Sequence, residues 1–412
     1  MTDAPAPRRG STPRSVLFLG HDAYRAGAQM VLLSVVRHLR ALGAVEPVIC
    51  LREGGELLAE YQRLGRTVVL AEPEAPPDGL RRRWLGTRFR REPRGLVAGL
   101  PHRLDRLRGL RVDAVLANSV ATLELAARVH EVMGAPVLSY VHELEIGLRR
   151  WCGDEVFAQA APSVDLFAAA SGAVVELLAS RGVARERIRL VYEGIELPPP
   201  DPGGDDGWRL RLGIPPHALV VGACGTLEWR KAPEIFLLVA AGVARVLGPA
   251  APHFVWVGGE EHARVREALA HDVRRLGLEG RVHFTGVLAR PLPVFTLFDA
   301  FLLTSREDPF PLVCLEAAAL GVPTVCFAGG GGMAEFVRDD AGVVVPYLDV
   351  VAAADALVGL LGDRARRQKL GETARTRVRA AHDSRLVAGQ LAGILDELVS
   401  GRARPGPGTG GG

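Results

Sequence analysis

Two acids stand eight positions apart in the segment SREDPFPLVCLEAAALGVP, residues 305–323: Asp308 and Glu316. A proline-containing turn and the opening of a helix lie between them. The run AFLLT at 300–304 reads as a buried strand, and Leu312–Leu320 reads as a helix with Pro311 suited to its first turn. Asp308 then falls at the carboxyl end of a strand, and Glu316 lies within the helix that follows. Ligands bind at that place in open α/β sheets. The unbonded N–H groups of a helix start favour an anion such as a diphosphate. A carboxylate set back from that anion can accept hydrogen bonds from sugar hydroxyls.

A second group is cationic. Of the 50 Lys and Arg residues only two are lysines, Lys231 and Lys369, a bias expected of a GC-rich genome. A lysine kept against that bias points to a compact point charge, which arginine does not supply. Lys369 sits in RARRQKLGETARTR, a charged helix surface. Lys231 sits in CGTLEWRKAP, between the strand ALVVGAC and the helix EIFLLVAAGVARV. Arg230 and Lys231 therefore stand near a helix start at a strand's carboxyl end, where cations can stabilise a departing diphosphate. The other reading is a solvated Arg230 and a Lys231 paired with a surface acid.

Three further segments carry candidate groups. GHDAYRAGAQ (20–29) joins the first strand to a long helix, and Gly27 and Ala28 allow a ligand close to that helix start. Its spacing is not G-x-G-x-x-G, which disfavours a nicotinamide dinucleotide. YVHE (140–143) ends a strand, so His142 faces either a sugar hydroxyl or a backbone carbonyl. AGGGGMAEFV (328–337) offers backbone amides to a ligand, or is a flexible loop. Nothing resembles a nucleophile elbow or a carboxylate clamp for a divalent metal, so neither a metal nor a cofactor is expected.

Composition narrows the class. At 412 residues the chain has room for two α/β domains, and its net charge of +3 does not argue for nucleic acid. Five scattered cysteines without a C-x-x-C suit a reducing cytosol. The opening MTDAPAPRRGSTPR lacks the apolar core of a signal peptide, and no apolar run is read as approaching the roughly 18 residues of a spanning helix. A cytoplasmic location is the expectation. Residues 81–111 hold eleven arginines against Glu92 and Asp105, interleaved with Trp84, Leu85, Phe89, Leu96, Val97, Leu100, Leu104 and Leu107. They read as a basic amphipathic surface for an anionic membrane at the inner face, or as a solvated helical insertion.

Short β runs alternate with amphipathic helices, the pattern of parallel α/β sheets. Strands are expected at 15–20, 47–51, 67–71, 113–118, 136–141, 165–170 and 187–192. In the second half they are expected at 218–224, 253–258, 281–285, 300–304, 323–327 and 342–345. The resulting division is a disordered tail (1–14), a Rossmann-like domain (15–197), a linker (198–207) and a second Rossmann-like domain (208–383). A helix (384–400) packs back on the first domain, and a disordered tail (401–412) follows.

Asp308 to Glu316, followed by AAALGVPTV, resembles the E-x7-E signature of retaining GT-B glycosyltransferases of the group-1 or family-4 type. FLGHDAYRAGAQMVLLSVVRHLRALG, YVHELE, VYEGIE, GTLEWRKAPEIFL, VHFTG and GGGGMAEF resemble the family's other landmarks in order. The resemblance implies two doubly wound domains facing across a cleft, with a nucleotide-sugar donor on the second and a hydroxyl acceptor on the first. It implies front-face transfer without metal or covalent intermediate. Lys231 matches the lysine on the donor diphosphate, Glu316 the acid on the ribose, and His142 a histidine near the donor sugar. Gly27 and Ala28 match the loop over the phosphates. Phe310, Pro311, Leu312 and Val313 match the turn reaching sugar and phosphate, and Gly286 and Val287 lie where the base is held. Two positions depart from the family pattern. Asp308 stands where a Glu is usual, with Glu307 as the alternative acid, and Thr226 replaces an arginine whose charge Arg230 is placed to supply. A non-catalytic GT-B nucleotide-binding or partner subunit is the alternative reading.

Overall fold

The computed structural model describes residues 13–71, 103–199, 203–205, 207–259 and 263–401. Most of both expected tails, part of the linker, and residues 81–102 of the basic segment lie outside the described residues.

The chain divides into two units, one made of residues 1–194 and 384–412, the other of 195–383. In the first, β1 (Arg14–Gly20), β2 (Val45–Leu51), β3 (Arg66–Val69), β4 (Ala114–Asn118), β5 (Val137–Val141), β6 (Leu166–Ala169) and β7 (Ile188–Leu190) form one sheet. Its order is β3-β2-β1-β4-β5-β6-β7 with every pair parallel. In the second, β8 (Val220–Cys224), β9 (His253–Val257), β10 (Val282–Phe284), β11 (Ala300–Leu303), β12 (Thr324–Phe327) and β13 (Gly342–Val345) take the order β10-β9-β8-β11-β12-β13, again parallel. These are two Rossmann-like doubly wound sheets. All thirteen strands fall on the runs expected from sequence, with ends displaced by at most two residues. The central strands are buried on both faces, as Leu17, Phe18 and Leu19 on β1 and Phe301 and Leu302 on β11 show, so each reads as an unbroken apolar run.

Each sheet reverses its winding once. After β3 the chain returns to lay β4 beside β1, and after β10 it lays β11 beside β8. Loops leaving the two central strands diverge there and open a crevice at the carboxyl ends. The segments after β1, β8 and β11 carry most of the candidate residues, while His142 follows β5 and Gly286 and Val287 follow β10.

Four expectations need correction. The division between units falls at Gly194 and Ile195, ahead of the stretch expected as linker. Ile195 belongs to the second unit because it bridges to Asp383 and its N–H donates to His382 O at 2.9 Å. Arg14 opens β1 and is not part of a tail. Leu104 and Leu107, counted above as part of an amphipathic surface, are buried in the first unit's core, and Arg106 Nη1 donates to Val69 O at 2.6 Å. Finally, Pro233–Ala250, with a mean hydropathy of 1.5 over 18 residues, is long and apolar enough to cross a membrane by length and composition. Its Phe236, Leu237, Val239, Ala240 and Val243 pack into the second unit's core, the place of a helix layered on a parallel sheet.

The helix Ser384–Val399 belongs to the first unit. Its Val387, Ala388, Leu391, Leu395 and Leu398 are buried, and it packs on the helix Gly27–Ala41 and on β4 and β5. Arg14 Nε meets Asp396 Oδ1 at 2.7 Å and Arg189 Nη2 meets Glu397 Oε1 at 2.5 Å, which ties it to the interior strand β1 and to the edge strand β7. Leu391 is 0% exposed. Leu391→Ala is expected to cost about 2–5 kcal/mol. Hydrogen exchange should show protection lost in the helix Gly27–Ala41 and kept in β8 and β11. Unchanged protection in both units would contradict this packing.

Candidate functional site

In the second unit the turn after β8 is fixed from several sides before it reaches Lys231. A side-chain carbon on Gly258 would lie 2.1 Å from Gly225 O, so only glycine permits that approach. Trp256 Nε1 donates to Gly225 O at 2.9 Å. The Lys231 stem runs along Gly225, where an added carbon would meet it at 3.1 Å. Thr304 Oγ1 donates to Lys231 O at 2.9 Å, and Arg306 N to Arg230 O at 2.8 Å. Ala232 then takes φ 54°, ψ 58°, a left-handed conformation rare for a residue with a side chain, and the helix Pro233–Leu247 begins. Such a backbone costs on the order of 1–3 kcal/mol and persists only where its surroundings over-determine it.

The fixed turn delivers two cations to one carboxylate. Lys231 Nζ contacts Asp308 Oδ2, Ser305 Oγ donates to the same oxygen at 3.0 Å, and Arg230 Nη1 stands 3.3 Å from Asp308 Oδ1. Arg230 also reaches Glu228 Oε1 at 3.2 Å and donates to Glu307 O at 3.0 Å. Asp308 is 5% exposed, whereas Glu307 is half-buried. Burial alone would push the Asp308 carboxyl up; Lys231 and Arg230 outweigh it and hold it below the ordinary carboxylate range. Arg230, four residues after Thr226 and adjacent to Lys231, is thus the second cation at this carboxylate.

The glycine run is ordered backing for that acid. Asp308 N donates to Gly330 O at 2.7 Å, Gly332 N donates to Pro309 O at 2.9 Å, and Asp308 bridges to Gly331 in strand fashion. Phe310 is buried with its ring stacked on His382, centroids 5.2 Å apart. Pro311 caps the helix Leu312–Ala319 from outside and is not in its first turn, and no side chain caps the amides of Leu312 and Val313. Glu316 is half-buried on that helix, and its carboxyl is pushed up to about 7 by burial. Burial pushes the Cys224 thiol at the end of β8 up, with Glu316 raising it further and Lys231 lowering it, so both charges are felt at that strand end. Beside them, Leu227 N donates to Gly259 O at 2.7 Å and Gly258 N to Gly286 O at 3.1 Å. The loops holding Thr226, Gly259 and Gly286 therefore lie side by side, with Val287 82% exposed.

In the first unit His142 follows β5, half-buried as a residue but with its side chain 4% exposed. Its Nδ1 lies 2.7 Å from Glu193 Oε1 and its Nε2 2.9 Å from Asn118 Oδ1. Both ring nitrogens meet protein side chains, not the carbonyl or open hydroxyl position expected above. Gly27 opens the helix Gly27–Ala41 with space around it, and Ala28 O accepts from Asn118 Nδ2 at 2.9 Å. Gln29 is buried, with Nε2 2.7 Å from Asp22 Oδ1 and 2.9 Å from His21 Nε2. Sequence reasoning missed Asn118, Glu193, Ser305 and Gln29. The signal available for Asn118 and Ser305 was a polar residue at, or just past, the end of a buried strand. Among the described residues no three His, Cys, Asp or Glu side chains are grouped as metal ligands.

Residues 25–197 match the family model described as Glycosyltransferase Family 4, and residues 218–363 the model described as Glycosyl transferases group 1. A D-inositol 3-phosphate glycosyltransferase of Nocardia farcinica is 32% identical over 201 residues, 48% of this chain and 44% of that protein. D-inositol 3-phosphate glycosyltransferase 1 of Catenulispora acidiphila is 29% identical over 314 residues, 71% of this chain and 74% of that protein. The chain spans about half the length of the Nocardia farcinica protein and of several other curated relatives it matches. Among solved structures, HepE of Anabaena in complex with UDP shares the fold with a TM-score of 0.76 at 21% identity, over 93% of this chain and 100% of that one.

The Glu316 carboxyl, ordinarily near 4.5, holds its proton more tightly in the folded chain. Its contribution to stability is therefore full below the ordinary value and is lost as the pH rises toward about 7. Melting temperatures taken from acid to neutral pH should fall for the wild type relative to Glu316→Gln. Parallel curves would show that burial does not hold this proton.

Proposed function

The chain belongs to the glycosyltransferases of family 4 and group 1, and from that premise we propose that it moves a sugar from a nucleoside diphosphate to a hydroxyl acceptor with retention at the anomeric carbon. The observation that carries this reading is the pairing of Lys231 and Arg230 with Asp308 at the reversal between β8 and β11. A departing diphosphate gains negative charge in the transition state, and fixed donors aimed at that charge lower the barrier. Lys231 has three N–H groups and spends one on Asp308, leaving two for phosphate oxygens. Asp308 keeps both cations in place and offers its carboxylate to a sugar hydroxyl. The uncapped amides of Leu312 and Val313 add donors at the positive end of a helix. Glu316 takes the ribose hydroxyls, and the Gly286–Val287 loop holds the base.

The transfer in this reading needs no metal, because side-chain cations stand where the charge develops. Uridine is the base to try first, since HepE, which shares this fold, was solved with UDP. The relatives' names make a polyol or its phosphate the first acceptor class to try. Lys231→Ala should lower turnover by about 10²–10³ when diphosphate release is followed, well below the variant's own melting temperature, with the sugar nucleotide that the wild type consumes; the stranded Asp308 carboxylate should lower that melting temperature. Full turnover in that variant would overturn the assignment. Diphosphate binding without turnover on any acceptor would favour a nucleotide-binding subunit.

We also propose that the chain works in the cytoplasm and touches the inner face of the membrane through the arginines between Arg81 and Arg103. Each cation near an anionic surface contributes about 1 kcal/mol. The chain should float with vesicles containing phosphatidylglycerol, and replacing Arg81, Arg82, Arg83, Arg88, Arg90 and Arg91 by Glu should abolish flotation. Equal flotation of both forms would exclude this contact.

A further inference from the structure

The loop after β4 contains a backbone conformation that is costly for a residue with a side chain. Ser119 has φ 76° and ψ 148°, a region that glycine occupies freely and side chains avoid. It is 2% exposed and follows Asn118, which is 1% exposed. The strained residue is held by a buried carboxylate. Glu143 Oε1 accepts from Ser119 Oγ at 2.5 Å, while Glu143 Oε2 accepts from Val120 N at 3.1 Å and His142 N at 3.0 Å. Ser119 N donates to Tyr140 O at 2.8 Å, and Thr122 Oγ1 donates to the carbonyls of Asn118 and Ser119 at 3.1 and 3.0 Å.

The result of this restraint is the direction of one amide. Asn118 Nδ2 donates to Ala28 O, which leaves Asn118 Oδ1 facing His142 Nε2. The opposite amide orientation would set Oδ1 against the Ala28 carbonyl, two acceptors face to face. On its far side the ring is bound by Glu193, which lies 51 residues further along the chain. One buried amide at the end of β4 therefore joins the first turn of the helix Gly27–Ala41 to His142 after β5, and the carboxylate of Glu193 closes the series.

We infer that Asn118 is a positioning residue of the first unit's site, aimed by the Ser119 turn and the Glu143 carboxylate, and that it sets His142 and the start of the helix Gly27–Ala41 in fixed relation for the sugar transfer proposed above. This rests on that reading of the reaction. Glycine at 119 would relieve the strain but would lose the hydroxyl, which donates to Glu143 and accepts from Ala121 N. The pairing of a strained turn with a donor–acceptor bridge between two candidate site segments is the arrangement that places reacting groups to within tenths of an ångström, and misplacement by an ångström can cost 10²-fold in rate.

The test compares Asn118→Ala, Asn118→Asp, Ser119→Gly and Lys231→Ala with the wild type in the full chain. Diphosphate release is followed from a panel of uridine, guanosine, adenosine and thymidine diphosphate sugars, together with melting temperature. Asn118→Ala should lower kcat by about 10–100-fold with the donor KM close to wild type. Asn118→Asp keeps the oxygen toward His142 and loses the donor to Ala28, so it should fall between the two. Ser119→Gly should keep or raise the melting temperature and still lower kcat, which a purely structural role would not produce. Wild-type kcat in Asn118→Ala and Ser119→Gly, beside a disabled Lys231→Ala, would overturn this inference alone. Full turnover in Lys231→Ala with a loss in the Asn118 variants would overturn the donor assignment and leave Asn118 in place. No diphosphate release from any sugar by the wild type would overturn both.

Discussion

The carboxylate of Asp308 carries a lysine, an arginine and a serine hydroxyl on its two oxygens, and the candidate site of the second unit is organised by that contact. A buried ion pair gains Coulomb energy and loses hydration, so its net contribution to stability is small, but removing one partner costs about 3–5 kcal/mol because the other charge is stranded. The cluster is therefore hard to change one residue at a time. Its formal charges also balance. Lys231 and Arg230 are offset by Asp308 and by Glu228 beside Arg230. Such a cluster draws no anion from a distance. It acts at contact, through N–H groups that are already aimed, and that is the kind of electrostatics a transition state can use without reorganisation.

The fold supplies the aim. Both sheets reverse at their central strands, and each reversal collects the loops that hold candidate groups. In the second unit the close approach of Gly258 to Gly225, the left-handed Ala232 and the hydroxyl of Thr304 together restrain the backbone on either side of Lys231. In the first unit the left-handed Ser119 does the same for Asn118. Both units thus hold a non-glycine residue at positive φ directly beside a buried polar side chain. The cost of each is repaid by burial elsewhere, in cores whose central strands are fully covered.

The strands were legible because a parallel strand covered on both faces leaves an apolar run with no polar alternation, as in VLFL on β1 and AFLL on β11. Lys231 was legible for a compositional reason: one of two lysines in an arginine-rich chain stood at a strand end. The partners of His142 were not. Asn118 is 24 residues before it and Glu193 is 51 after it, and only the sheet order brings β4, β5 and the chain beyond β7 together. The boundary between units was misplaced because Pro, Gly and Asp mark an irregular stretch, while the division itself is set by the bridge of Ile195 to Asp383, which no local composition signals. Leu104 and Leu107 looked like part of a surface because their arginine neighbours dominate the pattern, yet both are core residues. Arginines near an apolar residue report little about which way that residue faces.

The central claim is that Lys231 acts on the terminal phosphate of a nucleoside diphosphate. Calorimetric titration of the diphosphate and the monophosphate of the same nucleoside, into the wild type and into Lys231→Met, tests it most directly. The account predicts that the wild type prefers the diphosphate and that Lys231→Met loses that preference while still binding the monophosphate. An equal preference for the diphosphate in both proteins would contradict it.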